Sequence, residues 1–125
     1  MAATTKVPVA EQFLAALSER DYHGIASCFT RTAKLRVLVP SALREEDGPQ
    51  AIADRFRFWY ADLDDFELRE AEVDVLADRV RLRYRLRGHD PEDGPVVSEQ
   101  EGYATVEDGE ISALNLVCSG WRPTA

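Results

Sequence analysis

The sequence predicts an α+β fold in which a curved antiparallel sheet wraps around three N-terminal helices. Apolar residues recur with helical spacing in the first half of the chain, and from residue 67 onward their period changes to two and stays there. Because the long strands are apolar on one face only, the helices must cover that face. The 125 residues match the usual domain size of about 100–150 residues. We therefore expect residues 1–125 to form a single domain.

The first forty residues predict two helices and a strand. Pro8 fits the first turn of a helix that continues to Arg20, with apolar spacing at Val9, Phe13, Leu14 and Leu17. Asp21 fits the N-cap of a short second helix whose apolar stripe is Tyr22, Ile25, Cys28 and Phe29. Residues 32–39 alternate as a half-buried strand with an apolar face formed by Ala33, Leu35, Val37 and Val39. The polar segment 41–48 is predicted to be a loop.

A third helix is predicted to begin at Gly48-Pro49. Its apolar stripe is the most aromatic in the chain: Ile52, Phe56, Trp59, Tyr60 and Leu63. Four strands follow, over residues 67–76, 79–87, 96–106 and 110–118. A tight turn at 77–78, a loop over 88–95 and an Asp108-Gly109 hairpin turn separate them.

Charge alternation predicts the register of these strands. Five arginines at alternate positions from Arg79 to Arg87 face away from Val80, Leu82, Tyr84 and Leu86. With short hairpins on both sides, the predicted opposite pairs are Asp74–Arg81, Glu72–Arg83, Glu70–Arg85, Arg85–Glu99, Arg83–Glu101 and, on the apolar face, Tyr84–Gln100. A slip of one residue would turn every one of these charges into the core.

The arginine row has two interpretations. It could bind an anion, or it could be a neutralised ladder on the outside of the sheet. Acidic residues are predicted on both sides of it, which favours the ladder. The whole chain contains 23 acidic and 15 basic residues, a formal charge of -8, which repels phosphate backbones. We therefore expect no nucleic-acid partner.

No motif indicates a cofactor or a metal. The sequence has no Walker A loop, GxGxxG, HExxH or GxSxG pattern. Cys28 and Cys118 lack CxxC or histidine spacing, so reduced buried thiols are expected rather than a disulfide or a zinc site. No apolar run approaches the ~20 residues of a membrane span, and the start lacks a basic segment joined to an apolar core. We expect no metal, cofactor or membrane partner, and a cytoplasmic location.

The order of elements resembles the nuclear transport factor 2-like superfamily, especially SnoaL-like domains. The segments that carry the resemblance are DYHGIASCFT, EDGPQAIADRFRFWY and YATVEDGEISALNLVCSGW. Members form a cone whose open end admits a small, usually apolar molecule between the helices and the sheet. Many pair through the convex sheet face. The resemblance therefore implies a cone-shaped fold and a homodimer through that face, on which Val117 is predicted to point outward.

The resemblance also implies an apolar pocket. Its expected lining is Phe13, Val37, Phe56, Trp59, Tyr84, Ser98, Gln100, Leu114, Leu116 and Cys118, with segment 41–48 and Trp121 near the mouth. Tyr84 and Gln100 are the candidates for chemistry, because a phenol and an amide side by side could hydrogen-bond a ligand oxygen and polarise it. The alternative is that the two side chains satisfy each other inside a closed core.

The catalytic groups of known relatives are not matched. Val37, Gly102 and Phe13 stand where ketosteroid isomerases would have a base, an acid and a tyrosine, and none of the three can move a proton. Gln100 and Gly102 also stand where limonene-epoxide-hydrolase-like relatives need charge.

Other side chains offer little acid–base chemistry. His23 and His89 fall on the short helix and a loop, outside the arrangement of SnoaL-like polyketide cyclases. Cys118 has no histidine to activate it. The remaining candidates for a general base at the pocket mouth are Glu45, Glu46 and Asp47.

Two functions stay open. The first is a small-molecule-binding SnoaL-like domain, acting on an apolar, oxygen-bearing polyketide- or terpenoid-like compound, with cyclase, isomerase or dehydratase chemistry if it is an enzyme. The second is a non-catalytic dimeric interaction module with a closed cavity. An open apolar cavity would favour the first.

Overall fold

The computed structural model describes residues 2–124, which contain three helices and one seven-stranded sheet. The elements in chain order are α1 (Ala2–Ser18), α2 (Tyr22–Ala26), β1 (Phe29–Val39), β2 (Ala42–Asp47), α3 (Pro49–Tyr60), β3 (Asp64–Leu76), β4 (Arg79–Asp90), β5 (Gly94–Glu107), β6 (Glu110–Cys118) and β7 (Arg122–Pro123). The strands lie in the order β2-β1-β6-β5-β4-β3, and β7 pairs with β5.

The hydrophobic core lies between the three helices and one face of the sheet, which we call the inner face. Phe13 of α1 is fully buried, and its ring contacts the ring of Phe56 in α3 at 5.7 Å between centroids. Alternate residues of β1, β4 and β6 complete the core from the sheet side. The predicted α+β class is confirmed, because the apolar faces of helices and strands meet there.

One feature of the predicted architecture was wrong. The sheet is mixed rather than antiparallel, because β1 and β6 pair in parallel. Period-two alternation shows which face of a strand is buried, but it does not show in which direction the strand runs. Three helices are present in residues 2–124, and β1 precedes the third, as the sequence predicted, whereas β2 was not predicted.

The N-terminal boundaries differ from the prediction. α1 begins at Ala2, so Pro8 lies inside the helix rather than in its first turn, and the carbonyl four residues earlier loses its usual N–H partner. Asp21 is the predicted N-cap of α2, and its carboxylate accepts from the N–H of Gly24 at 2.9 Å. α2 ends at Ala26, so Cys28 and Phe29 are buried beyond the helix rather than on its stripe.

Segment 41–48 was predicted to be a loop, and it contains strand β2 instead. β2 pairs antiparallel with β1 at the edge of the sheet. Its residues are charged on both faces, so no apolar alternation is visible in the sequence. Charged side chains are typical of edge strands, where they discourage pairing with another chain.

The strand register agrees with the prediction, with one exception. The confirmed opposite pairs are Asp74–Arg81, Glu72–Arg83, Arg85–Glu99, Arg83–Glu101 and Tyr84–Gln100. Arg85 lies opposite Arg69 rather than Glu70, because β3 bulges between Arg69 and Glu72 and the φ of Glu70 is 54°. β4 and β5 extend through most of the segment 88–95, which was predicted to be a loop.

The arginine row forms an ion-paired ladder on the outer face of the sheet. Arg81 contacts Asp74 at 2.6 Å and Glu101 at 2.9 Å. Arg85 contacts Glu99 at 2.8 Å and Glu70 at 3.2 Å, despite the bulge. Each of these two arginines thus bridges both neighbouring strands, as the ladder interpretation predicts.

Candidate functional site

A cavity of about 170 Å³ lies at the inner face, where the end of α3 meets the sheet and the C-terminal segment. Its wall is formed by Val39, Arg44, Trp59, Tyr60, Ser98, Gln100, Cys118, Gly120 and Trp121. Ser98, Gln100 and Tyr60 are buried, whereas Trp59, Cys118 and Trp121 are half-buried and Arg44 is exposed. The cavity therefore runs from solvent at Arg44 to a buried polar group at its base.

The cavity includes part of the predicted pocket. Trp59, Ser98, Gln100 and Cys118 line it, and so do Trp121 and Arg44 of segment 41–48, which the resemblance placed near the mouth. The other predicted lining residues lie in the packed core instead: Phe13, Val37, Phe56, Leu114 and Leu116. Tyr84 lies behind Gln100 and reaches the cavity only through it.

A chain of hydrogen bonds runs from the sheet to α3 at the base of the cavity. The Tyr84 hydroxyl donates to Oε1 of Gln100. Nε2 of Gln100 donates to the Tyr60 hydroxyl at 2.7 Å and to Sγ of Cys118 at 3.4 Å. The amide of Gln100 therefore has its oxygen and both of its N–H groups engaged.

Tyr60 is the site residue that sequence reasoning missed. Its hydroxyl accepts from Gln100, and no described side chain or backbone group accepts the hydroxyl proton. The proton is thus free for a ligand in the cavity. Tyr60 belongs to the predicted aromatic stripe of α3, but nothing in the sequence links it to Gln100, forty residues away.

The Tyr60 ring is fixed on several sides. It contacts Phe66 at 5.3 Å and Trp121 at 5.9 Å between centroids. The Arg20 guanidinium donates to the carbonyl of Tyr60 at 3.0 Å and to that of Leu63 at 2.6 Å. Since Tyr60 is the last residue of α3, Arg20 supplies its carbonyl with a donor that the helix itself lacks there. The hydroxyl is therefore held in one place.

Burial controls the ionisation of both phenols. It raises the pKa of Tyr60 well above its ordinary value, and it raises the pKa of Tyr84 in the same direction. An apolar, enclosed site disfavours the charged form of a phenol. Both hydroxyls consequently stay protonated near neutral pH, so they act as hydrogen-bond donors and not as bases.

The carboxylates considered as bases are engaged elsewhere. Glu46 pairs with Arg55 at 2.7 Å, and Arg55 in turn lies over the Trp59 ring at 5.6 Å. Glu45 and Asp47 are bound to arginine and lysine side chains of β1. None of the three lines the cavity. Glu46 instead holds Arg55, which contacts the Trp59 ring in the cavity wall.

Position 102 has no room for a side chain. A Cβ atom on Gly102 would lie 1.8 Å from the carbonyl oxygen of Asn115 in the neighbouring strand. The backbones of β5 and β6 therefore approach closely here, and only glycine fits. An acid at this place would require β6 to move.

Residues 2–124 contain no cluster of three or more His, Cys, Asp or Glu side chains placed to hold a metal ion. His23 in α2 and His89 in β4 are both exposed, and neither lines the cavity. Over the same residues, no helix has the length and apolar character needed to cross a membrane.

Solved structures share this fold. A proposed isomerase from Bacillus subtilis is 20% identical, with a TM-score of 0.75 over 98% of this chain and 90% of that one. An LEH-like epoxide hydrolase of M. tuberculosis is 17% identical, with a TM-score of 0.73 over 95% and 86%. A proposed polyketide cyclase from Xanthomonas campestris pv. campestris is 16% identical, with a TM-score of 0.75 over 94% and 92%.

Sequence comparison identifies the family. A search of curated proteins finds no match. The family model described as the SnoaL-like domain matches residues 10–114. Since this match spans most of the chain and the fold agrees with it, the chain belongs to the SnoaL-like domain family of the nuclear transport factor 2-like superfamily.

Proposed function

We propose that the protein binds a small, apolar, oxygen-bearing molecule in the cavity, with the Tyr60 hydroxyl donating to a ligand oxygen. The observation that carries this proposal is the free hydroxyl proton of a buried tyrosine at the wall of a cavity that opens to solvent. A closed interaction module would not need such a group, because buried polar groups normally have their partners inside the protein.

Gln100 has a positioning role in this proposal. Its amide holds the Tyr60 hydroxyl at 2.7 Å, and Tyr84 fixes the amide from the other side. The sequence made Tyr84 and Gln100 the candidates for direct ligand contact. We now assign the contact to Tyr60 and the support to Tyr84 and Gln100, because both N–H groups of the amide are already engaged.

The cavity can polarise a carbonyl more readily than it can remove a proton. A fixed phenol aimed at a carbonyl oxygen stabilises the negative charge that develops there during enolisation or cyclisation. Its lining supplies no carboxylate and no imidazole. If turnover occurs, we expect a cyclase-, isomerase- or dehydratase-type reaction of a reactive carbonyl compound, in which enclosure and orientation contribute most. Polyketide- or terpenoid-like compounds have this chemistry.

The test is ligand binding by the wild type and by Tyr60→Phe. Cyclohexanone and methylcyclohexane are similar in size, and only the first carries an acceptor oxygen. We expect the wild type to prefer cyclohexanone and Tyr60→Phe to lose that preference, an effect of about three- to tenfold for one hydrogen bond. Trp59 and Trp121 line the cavity, so their indole signals report binding by NMR. If neither compound perturbs these signals, the proposed function is wrong.

We also propose a cytoplasmic homodimer. The outer face carries an exposed apolar row across three strands, Leu43, Leu38 and Val117, which are consecutive register partners. A second copy placed on this face would cover the row. Cys28 and Cys118 are both free thiols, which is consistent with a reducing compartment.

A further inference from the structure

We infer that the ligand is an anion: a carboxylate on a single-ring apolar body, bound with its charged group at Arg44. This inference rests on the proposed function and narrows its ligand class, because the ligand would carry this carboxylate in addition to the oxygen that accepts from the Tyr60 hydroxyl. It follows from the charge, the pairing and the size of the cavity.

The charge of the cavity wall is the first argument. Arg44 is the one charged residue in the lining, and no carboxylate accompanies it. The whole chain has 23 acidic and 15 basic residues, so the positive charge of the cavity wall is opposite in sign to the net charge of the protein. A cationic ligand would meet only Arg44, which repels it, whereas an anionic ligand would find its single attractive partner there.

The direction of Arg44 follows from the strand register. Arg44 in β2 lies opposite Val37 in β1, which is fully buried on the inner face. Opposite residues of an antiparallel pair point to the same face of the sheet. The guanidinium therefore projects on the cavity side of β2 and not toward the outer ladder.

Among the described residues, Arg44 has no counter-ion. Its three charged neighbours in β2 are each paired with another cation: Glu45 with Arg36 at 3.1 Å, Glu46 with Arg55 at 2.7 Å and Asp47 with Lys34 at 3.5 Å. Within the part of the chain that the structure describes, Arg44 forms no ion pair. A guanidinium offers a planar fork of N–H donors that matches a carboxylate with two parallel hydrogen bonds.

The size and the walls of the cavity define the rest of the ligand. Its volume of about 170 Å³ is close to the ~150 Å³ of an apolar protein cavity that holds benzene. Trp59 and Trp121 provide flat apolar surface. One ring therefore fits, with its carboxylate toward solvent at Arg44.

Three probes of one shape test the inference: benzoate, neutral benzamide and cationic benzylammonium. We expect the wild type to bind benzoate most tightly and benzylammonium least. Arg44→Met should weaken the binding of benzoate by about three- to tenfold, the range for a partly exposed charged hydrogen bond. It should leave the affinity for benzamide unchanged. Arg87→Met is the matched control, because Arg87 is an exposed arginine of the outer face and its loss changes the net charge equally.

The outcomes separate the two proposals. A loss of benzoate affinity in Arg44→Met but not in Arg87→Met supports the anion site. If benzamide binds as tightly as benzoate, or if Arg44→Met and Arg87→Met weaken benzoate equally, the anion site is refuted while ligand binding in the cavity stands. If none of the three probes perturbs the signals of Trp59 and Trp121 at millimolar concentration, the proposed function fails as well.

Discussion

The side-chain amide of Gln100 in β5 donates to the Tyr60 hydroxyl in α3 at 2.7 Å, and this bond ties the inner face of the sheet to the end of the helix. Both side chains are almost completely buried. Because Tyr84 holds the other end of the amide, the Tyr60 hydroxyl has a fixed direction, which is what a positioned donor requires.

Tyr84→Phe should destabilise the protein and weaken ligand binding only indirectly. The substitution leaves the buried Oε1 of Gln100 without its donor, which costs about 1–3 kcal/mol. Urea denaturation measures the change in the free energy of unfolding. Tyr103→Phe is the control, since Tyr103 lies on the exposed face of the neighbouring strand β5, and we expect it to be nearly neutral. Equal stability of the two variants would contradict the buried network.

Gly102→Ala should be severely destabilising. The added Cβ would meet the carbonyl oxygen of Asn115 at 1.8 Å, and backbone cannot yield as a flexible side chain can. We expect the free energy of unfolding to fall by at least about 3 kcal/mol, the upper end for overpacking. A lower thermal midpoint would report this loss. Gly88→Ala is the matched control in a strand, because the atoms nearest to its Cβ, from 3.2 Å, belong to the Leu63 side chain and not to backbone. A well-folded Gly102→Ala protein would show that β5 and β6 can separate.

Stability should fall at alkaline pH, beginning with Cys28. Burial raises the pKa of this thiol to about 11, whereas an unfolded thiol ionises near 9.0. Between these pH values the unfolded chain releases a proton that the folded chain keeps. The contribution of this thiol to the free energy of unfolding is therefore fully present below pH 9 and declines as the pH rises toward 11. Tyr60 and Tyr84 have raised pKa values for the same reason and add to the decline above pH 10.

The decline can be followed by urea denaturation at increasing pH. Each buried group contributes a slope of up to ~1.4 kcal/mol per pH unit once its unfolded form is ionised. Cys28→Ala removes the first group, so its decline should begin near pH 10 instead of pH 9. Parallel curves for the wild type and Cys28→Ala would show that this thiol ionises equally in both states.

The apolar row on the outer face predicts a dimer that a charge disrupts. Val117 is 59% exposed and Leu38 is 52% exposed, and they lie opposite each other on neighbouring strands. We expect light scattering to give a dimeric mass for the wild type and a monomeric mass for Val117→Asp. Arg87→Asp, a substitution outside the row, should remain dimeric. A monomeric wild type at micromolar concentration would refute the homodimer.

The long hairpins could be predicted from the sequence because their determinants are local. Alternation from Arg79 to Arg87 assigns one face to the core, and the acidic residues on both sides fix the register, since a slip of one residue would bury charge. The Tyr84–Gln100 pair follows directly from that register. The bulge at Glu70 was missed because it is a local departure from the same regular pattern.

The tertiary structure decided what depends on contacts distant in the chain. Charge on both faces concealed β2 in the sequence, and only its pairing with β1 brings Arg44 to the cavity. Tyr60 looked like helix packing until the fold placed Gln100 beside its hydroxyl. Periodicity reports which side of an element is buried. The packing of α3 against the sheet determines which side chains contact each other on the buried side. The spacing of residues along the sequence does not predict that packing.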